Sequence, residues 1–321
     1  MNIHLTTLRT TLTRSLFTLL LPATLAVLGS RVQGQLYVAE YVGFRVGTYS
    51  ATTGAVINPS FVPLTMTPAG IELYGNDLFV STGMSNTVRR YDATTGALIN
   101  ANFITGLRGP TDLFVSGSDL FVVNQATNSI GRYNATTGAV VSASFITGLA
   151  APYGIQISGN DLYVANYNNN TVGRYNATTG ATINASFISG LGGPSNIELS
   201  GNDLFVTNYS GNTVGRYNAT TGAAVNANFI TGIAGPAGIE ISGNDLFVGS
   251  YGSSSVRRYD ATTGALVNGS FIAGVTRPID LAIAVPEPGS AALALLGGLA
   301  LLGRLRTNTN GAQTSQPRAT P

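Results

Sequence analysis

Oxygen-bearing side chains recur in this 321-residue chain at a fixed place, two residues after a recurring proline: Gly70, Asp112, Gly154, Asn196, Gly238 and Asp280. Acid or amide alternates with glycine. If the copies form a ring, Asp112, Asn196 and Asp280 converge at about 120° to one another, and with added waters they would suit Ca²⁺, a hard cation that takes roughly six to eight oxygens. The competing reading is steric: a narrow throat admits only alternate side chains, which bond water or neighbouring backbone. Two residues further on, a second column runs Glu72, Phe114, Gln156, Glu198, Glu240 and Ala282. Its three carboxylates either line the same channel and raise one another's pKa or are solvated or backbone-bonded groups between copies. Tyr41, Tyr167, Tyr209 and Tyr251 stand in Asn/Ser-rich loops, where their faces are candidate stacking surfaces for a ligand such as a sugar.

Other chemistries are excluded by composition. There is no cysteine, all 16 basic residues are Arg, and the only histidine is His4. A disulfide framework, a Cys/His zinc site and a Cys- or Ser-His nucleophile are therefore ruled out for the body of the chain. Charged residues are only 9% of the sequence and the net charge is +2. That is too little for a nucleic-acid footprint, so no nucleic-acid partner is expected. Most of the basic excess sits at the two ends, and the body is mildly acidic. No catalytic residue is assigned.

The elements that must position these columns follow from an internal repeat. Tyr-x-Ala-Thr-Thr-Gly begins at Tyr49, Tyr91, Tyr133, Tyr175, Tyr217 and Tyr259, a constant step of 42 residues. A leucine marker (Leu36, Leu78, Leu120, Leu162, Leu204, Leu246) and a proline marker (Pro68, Pro110, Pro152, Pro194, Pro236, Pro278) keep the same step. In the copy from Pro152, four short strands are predicted: a at Ile155–Ile157, b at Leu162–Val164, c at Thr171–Tyr175 and d at Ala181–Ile188. Turn-forming Gly and Asn separate them. A four-stranded unit of this length is the size of a propeller blade. The chain enters at a strand b (Leu36) and leaves after a lone strand a (Ile279–Ile283). The two fragments complete one blade, so the sequence predicts an all-β, six-bladed β-propeller over 35–284. In it the C-terminal strand a joins the N-terminal strands b, c and d, and ring closure removes an open sheet edge.

Two charged columns run through the copies: Asp77, Asp119, Asp161, Asp203, Asp245 and Arg90, Arg132, Arg174, Arg216, Arg258. Both charges are missing together from the first copy, at Gln35 and Thr48. The structural reading is a repeated cross-strand pair; the functional one is an Arg ring for an anion. Asn134, Asn176, Asn218, Asn184 and Asn268 open glycosylation sequons, the first three in tight turns.

The unit resembles the NHL repeat, through Pro152-Tyr153-Gly154-Ile155, Gly159-Asn160-Asp161-Leu162-Tyr163-Val164-Ala165-Asn166 and Asn170-Thr171-Val172-Gly173-Arg174. Asn166 replaces that family's usual Asp, and the Arg is displaced. The resemblance implies a six-bladed propeller. NHL-like zinc amidating lyases and His-dependent antibiotic lyases are disfavoured by the missing His. Related Ca²⁺ lactonases offer only the Asp112/Asn196/Asp280 ring for comparison, without a residue-by-residue match.

The ends read as addresses. Residues 1–34 have a basic start, an apolar run and small residues before Gln35, as a secretory signal has; an N-terminal anchor is the alternative. At the other end, Pro286-Glu287-Pro288, the apolar Gly289–Leu302 and the basic Arg304 and Arg306 resemble the PEP-CTERM sorting signal over 285–306, with a short transmembrane helix. An ordinary membrane anchor is the alternative here. A polar, disordered tail is expected over 307–321. That resemblance implies an exosortase-type sorting protease as partner, transient anchoring in the inner membrane of a Gram-negative bacterium, and export to the surface, often beside exopolysaccharide. Near-identical copies argue against catalysis, which needs unlike residues at different places. The expectation is a non-enzymatic surface or matrix binding protein, associated with exopolysaccharide or surface proteins and needing no cofactor. The alternative is a Ca²⁺-dependent hydrolase or lyase with its site in the channel.

Overall fold

The computed structural model describes residues 34–284, which form six four-stranded antiparallel sheets around a common axis. The 24 strands are numbered in chain order, β1 (Gln35–Glu40) to β24 (Pro278–Ala284). The copy read above from Pro152 is the sheet β12 (Pro152–Ser158), β13 (Asp161–Asn166), β14 (Thr171–Asn176) and β15 (Thr182–Ile188). Its order is that of the sequence, innermost strand first. The first three strands reach a little past the residues that predicted them, because flanking polar residues complete the ladder, while the fourth starts one residue later, at Thr182. The segments expected to be a signal peptide (1–34) and a sorting signal with its helix (285–306) lie, but for Gly34, outside the described residues. Among the described residues no helix is long and apolar enough to cross a membrane.

Closure takes the expected form. β24 pairs antiparallel with β1, Gln35 opposite Ala284 and Val38 opposite Leu281, and the first blade reads β24-β1-β2-β3, with β2 at Arg45–Ser50 and β3 at Val56–Pro63. We number this blade 1 and the others 2 to 6 in chain order.

The core lies between blades. Second strands carry apolar runs such as Leu162-Tyr163-Val164-Ala165, all essentially buried, because a sheet covered on both faces has no reason to alternate. One face of blade 3 (Phe121, Val123, Ile130, Ile146) packs on one face of blade 4 (Ile155, Leu162, Val164, Tyr175). A comparable cluster fills each of the six junctions.

The Tyr-x-Ala-Thr-Thr-Gly turn explains its own repetition. Asn176 Oδ1 accepts hydrogen bonds from the Thr178 and Thr179 amides. Gly180 closes the turn at φ +74°, and a Cβ there would lie 2.4 Å from the Phe145 carbonyl oxygen of the preceding blade. This glycine is thus required both for its backbone angle and for blade spacing. The charged columns also join blades. Arg174 pairs with Asp161 across the ladder at 2.7 Å, and its Nη1 donates to the Thr220 carbonyl of the next blade at 3.0 Å. The same clamp recurs from Arg90, Arg132, Arg216 and Arg258, the last reaching Thr52 of blade 1. Every Arg of the column is thereby engaged, as the pairing reading requires. Blade 1, with Thr48 in that column, instead sends the Tyr37 hydroxyl to the Ala93 carbonyl of blade 2 at 2.6 Å.

Candidate ligand site in the propeller channel

The innermost strands β24, β4 (Gly70–Tyr74), β8 (Pro110–Ser116), β12, β16 (Pro194–Ser200) and β20 (Pro236–Ser242) line the channel. The structure brings Asp112, Asn196 and Asp280 together there, on blades 3, 5 and 1. Alternation with glycine has a steric cause. A Cβ on Gly70 would lie 2.5 Å from the Thr111 carbonyl oxygen, on Gly154 2.7 Å from the Asn196 Cα, and on Gly238 2.6 Å from the Asp280 Cα. Real contacts are never that close, so three blades give up their side chains and let the other three fill the throat.

Those three side chains are all engaged in hydrogen bonds. Asp112 Oδ1 accepts from the Leu113 amide at 2.8 Å, and Oδ2 from Ile155 of the next blade at 2.9 Å. Asp280 Oδ2 accepts from Ile71 of the next blade at 2.8 Å. Asp280 Oδ1 accepts from Asn196 Nδ2 at 2.9 Å, while Asn196 Oδ1 takes the Ile197 amide. The Asn points a donor at the ring's second acid, and a cation needs acceptors there. Among the described residues no three Asp, Glu or His side chains cluster as metal ligands. A Ca²⁺ ion does not fit the throat in this arrangement without displacing these bonds.

The throat separates two cavities. On one side about 300 Å³ is lined by Glu72, Gln156, Glu198 and Glu240. Glu72 Oε1 accepts from the Val115 amide of the next blade at 3.0 Å, and Gln156 Nε2 donates to Glu198 Oε2 at 3.0 Å. Burial raises Glu72 and Glu198 to about 8 each, with the neighbouring carboxylates adding to the shift. It holds Glu240 well above the usual carboxylate range, again with the other acids contributing. In the throat burial raises Asp112 to about 7 and holds Asp280 well above its ordinary value. Five acids thus share one channel, and neither cavity is lined by an arginine. Both sequence readings of the Glu column hold in part: the side chains are bonded between blades, and they raise one another's pKa.

On the other side a cavity of about 450 Å³ opens above the throat. Tyr41, Tyr167, Tyr209 and Tyr251 all line it, as the loop column predicts, and Asp112, Asn196 and Asp280 form its floor. The four occupy one repeat position on consecutive blades 4, 5, 6 and 1; blades 2 and 3 carry Gly83 and Gln125 there. The rings form an arc: Tyr209 to Tyr251 at 5.7 Å and Tyr41 to Tyr251 at 5.9 Å between centroids. A fifth ring, Tyr153, packs 5.3 Å from Tyr167. Sequence reasoning missed it as a site residue. Its signal was a departure from the column Ala69, Thr111, Ser195, Ala237, Ile279, all smaller. The near-identical copies therefore build an asymmetric mouth. Arg277 stands at the rim, its guanidinium 5.1 Å from the Tyr251 ring centroid.

Blade 1 carries another residue that sequence reasoning missed. Glu40, fully buried, holds Arg45 at 2.8 Å and accepts the amide and hydroxyl of Thr276 at 2.8 Å each, across 236 residues of chain. Asn166 does a milder version of this job, accepting from the Ala150 amide at 3.2 Å. The substitution of Asp by Asn in the NHL-like pattern is thus at a position that ties down the loop leading into the blade's innermost strand.

No protein-family model and no curated protein matches the chain. Solved structures do, at the level of fold. A chain of a nidogen/laminin complex superposes with a TM-score of 0.67 at 14% identity, covering 79% of this chain and 99% of that one. A putative 6-phosphogluconolactonase from Bacteroides uniformis gives 0.60 at 14% identity, covering 79% and 100%. Virginiamycin B lyase from Staphylococcus aureus gives 0.51 at 20% identity, covering 66% and 73%. The class is thereby defined as a six-bladed β-propeller.

Proposed function

We propose that the protein is an exported binding propeller that holds a saccharide in its tyrosine mouth. The observation that carries this reading is the arc of five tyrosines around a 450 Å³ cavity with a polar floor. Pockets of this volume suit a small ligand or the end of a chain. Tilted tyrosine rings offer apolar surface to sugar rings, while tyrosine hydroxyls, Gln125 and Ser195 supply hydrogen bonds at the edges. The sequence resemblance of the two ends to export and sorting signals supports a surface setting in which exopolysaccharide is the available ligand. A hydrolase or lyase reading finds less support: the throat carboxylates are bound to backbone amides, and the channel holds no histidine or arginine to act beside them.

A glycan array probed with the full chain tests the proposal. Retention of defined saccharides that is lost in both Tyr167→Ala and Tyr251→Ala supports it. A blank array, or binding indifferent to both substitutions, overturns it.

A further inference from the structure

We infer that the saccharide in the tyrosine mouth carries a free, protonated amine, which sits among the rings above Asp112 and Asp280; this rests on the saccharide reading and narrows it to amino sugars. Three independent features converge on a cation.

The first is the wall. Tyrosine faces carry negative quadrupole potential, and several rings around one space form the kind of cage that attracts ammonium groups. The molecule already contains a small instance: Arg277 lies over Tyr251 at 5.1 Å, so ring faces at this mouth accept positive charge.

The second is the floor. Asp112 is 9% exposed and Asp280 5%, and both line the cavity. Each carboxylate has about four acceptor positions. Two are used on Asp112, by Leu113 and Ile155, and three on Asp280, by Ile71, Leu281 and Asn196. The remaining acceptor capacity belongs to groups at the base of the ringed space.

The third is the balance of charge. Glu72, Glu198 and Glu240 lie directly beyond the throat, and no basic side chain lines either cavity. A neutral ligand that expels water from the mouth makes these acids harder to ionise. An ammonium group offsets that penalty, and an N-acetyl group, having lost its charge, does not.

The test compares two probes by isothermal titration calorimetry: a glucosamine tetramer and an N-acetylglucosamine tetramer. The free amine is expected to bind about 10-fold tighter or more. Asp112→Asn and, separately, Asp280→Asn should shrink that preference to about 3-fold or less. Asn at either position turns an amide donor toward a donor that the carboxylate accepts, so a cooperative melting curve verifies that each variant is folded. Equal binding of both probes overturns the charge inference and leaves the saccharide reading standing. Binding by neither tetramer overturns the amino-sugar inference, while the saccharide reading falls only with a blank glycan array.

Discussion

Glu40 replaces, in one blade, the Asn, Thr or Ser found at that repeat position in the others (Thr82, Asn124, Asn166, Asn208, Ser250). Its carboxylate is fully buried and satisfied by Arg45 and both donors of Thr276. Removing the charge leaves Arg45, whose side chain is 28% exposed, without its partner, a loss on the order of 1 kcal/mol after solvent screening. Glu40→Gln is therefore expected to lower the denaturation midpoint clearly, with early proteolysis near β1; an unchanged midpoint would show the pair to be dispensable. Phe44 points the other way. It sits at φ +48°, where blades 2 to 5 place Asn86, Asn128, Asn170 and Asn212. A bulky side chain there costs about 1 kcal/mol, so Phe44→Asn should stabilise the protein by about that amount in thermal melts. Neither residue was legible as important from the repeat. Glu40 acts through a partner 236 positions away, and Phe44 is unusual only in its backbone angle. The tyrosine column, by contrast, was legible because four copies share one position in loops of known direction.

The inner strands carry the pH behaviour. Glu72, Glu198 and Asp112 hold their protons to about 8, 8 and 7 when folded, whereas in the unfolded chain they ionise in the ordinary carboxylate range. Between those limits the folded state binds more protons. Stability is then full below the ordinary carboxylate range and falls as pH rises through it toward about 8. Melting temperature should decline from about pH 5 to pH 8, and Glu72→Gln should flatten part of that decline; a melting temperature that rises over this interval would contradict the burial of these acids. Calcium provides a further check on the same strands. If Ca²⁺ raises the melting temperature of the native chain but not of Asp112→Ala, the throat rearranges into a metal site; the hydrogen bonds described here lead us to expect no shift. The alternation of acid and glycine was visible in the sequence. Its cause was not, because the lack of room for a Cβ, which would lie 2.5–2.7 Å from the neighbouring inner strand, is a property of the ring.

For the whole molecule the repeat arithmetic was nearly sufficient. Six copies at an equal step and two complementary fragments specify a closed ring, and the observed pairing of β24 with β1 is that closure. What the arithmetic could not supply was the inequality of the blades at the mouth, which depends on which loop faces which cavity. Two constructions test closure. Deleting residues after Thr276 removes β24, exposes the edge of β1 and takes Asp280 from the throat; the product should lose its single sharp unfolding transition and self-associate. Joining Ala284 to Gln35 through a short linker and opening the chain at Gly190 should preserve the transition, since Gln35 and Ala284 are already paired neighbours.

Blade 1 also sets an order of events. A chain delivered N-terminus first displays β1, β2 and β3 long before β24 exists, and their missing neighbour is the last piece to appear. Contacts spanning nearly the full length form slowly, so the nascent protein passes through a stage with one unfilled seam beside five zipped ones. The interval ends when the seven residues of β24 arrive and pair with β1.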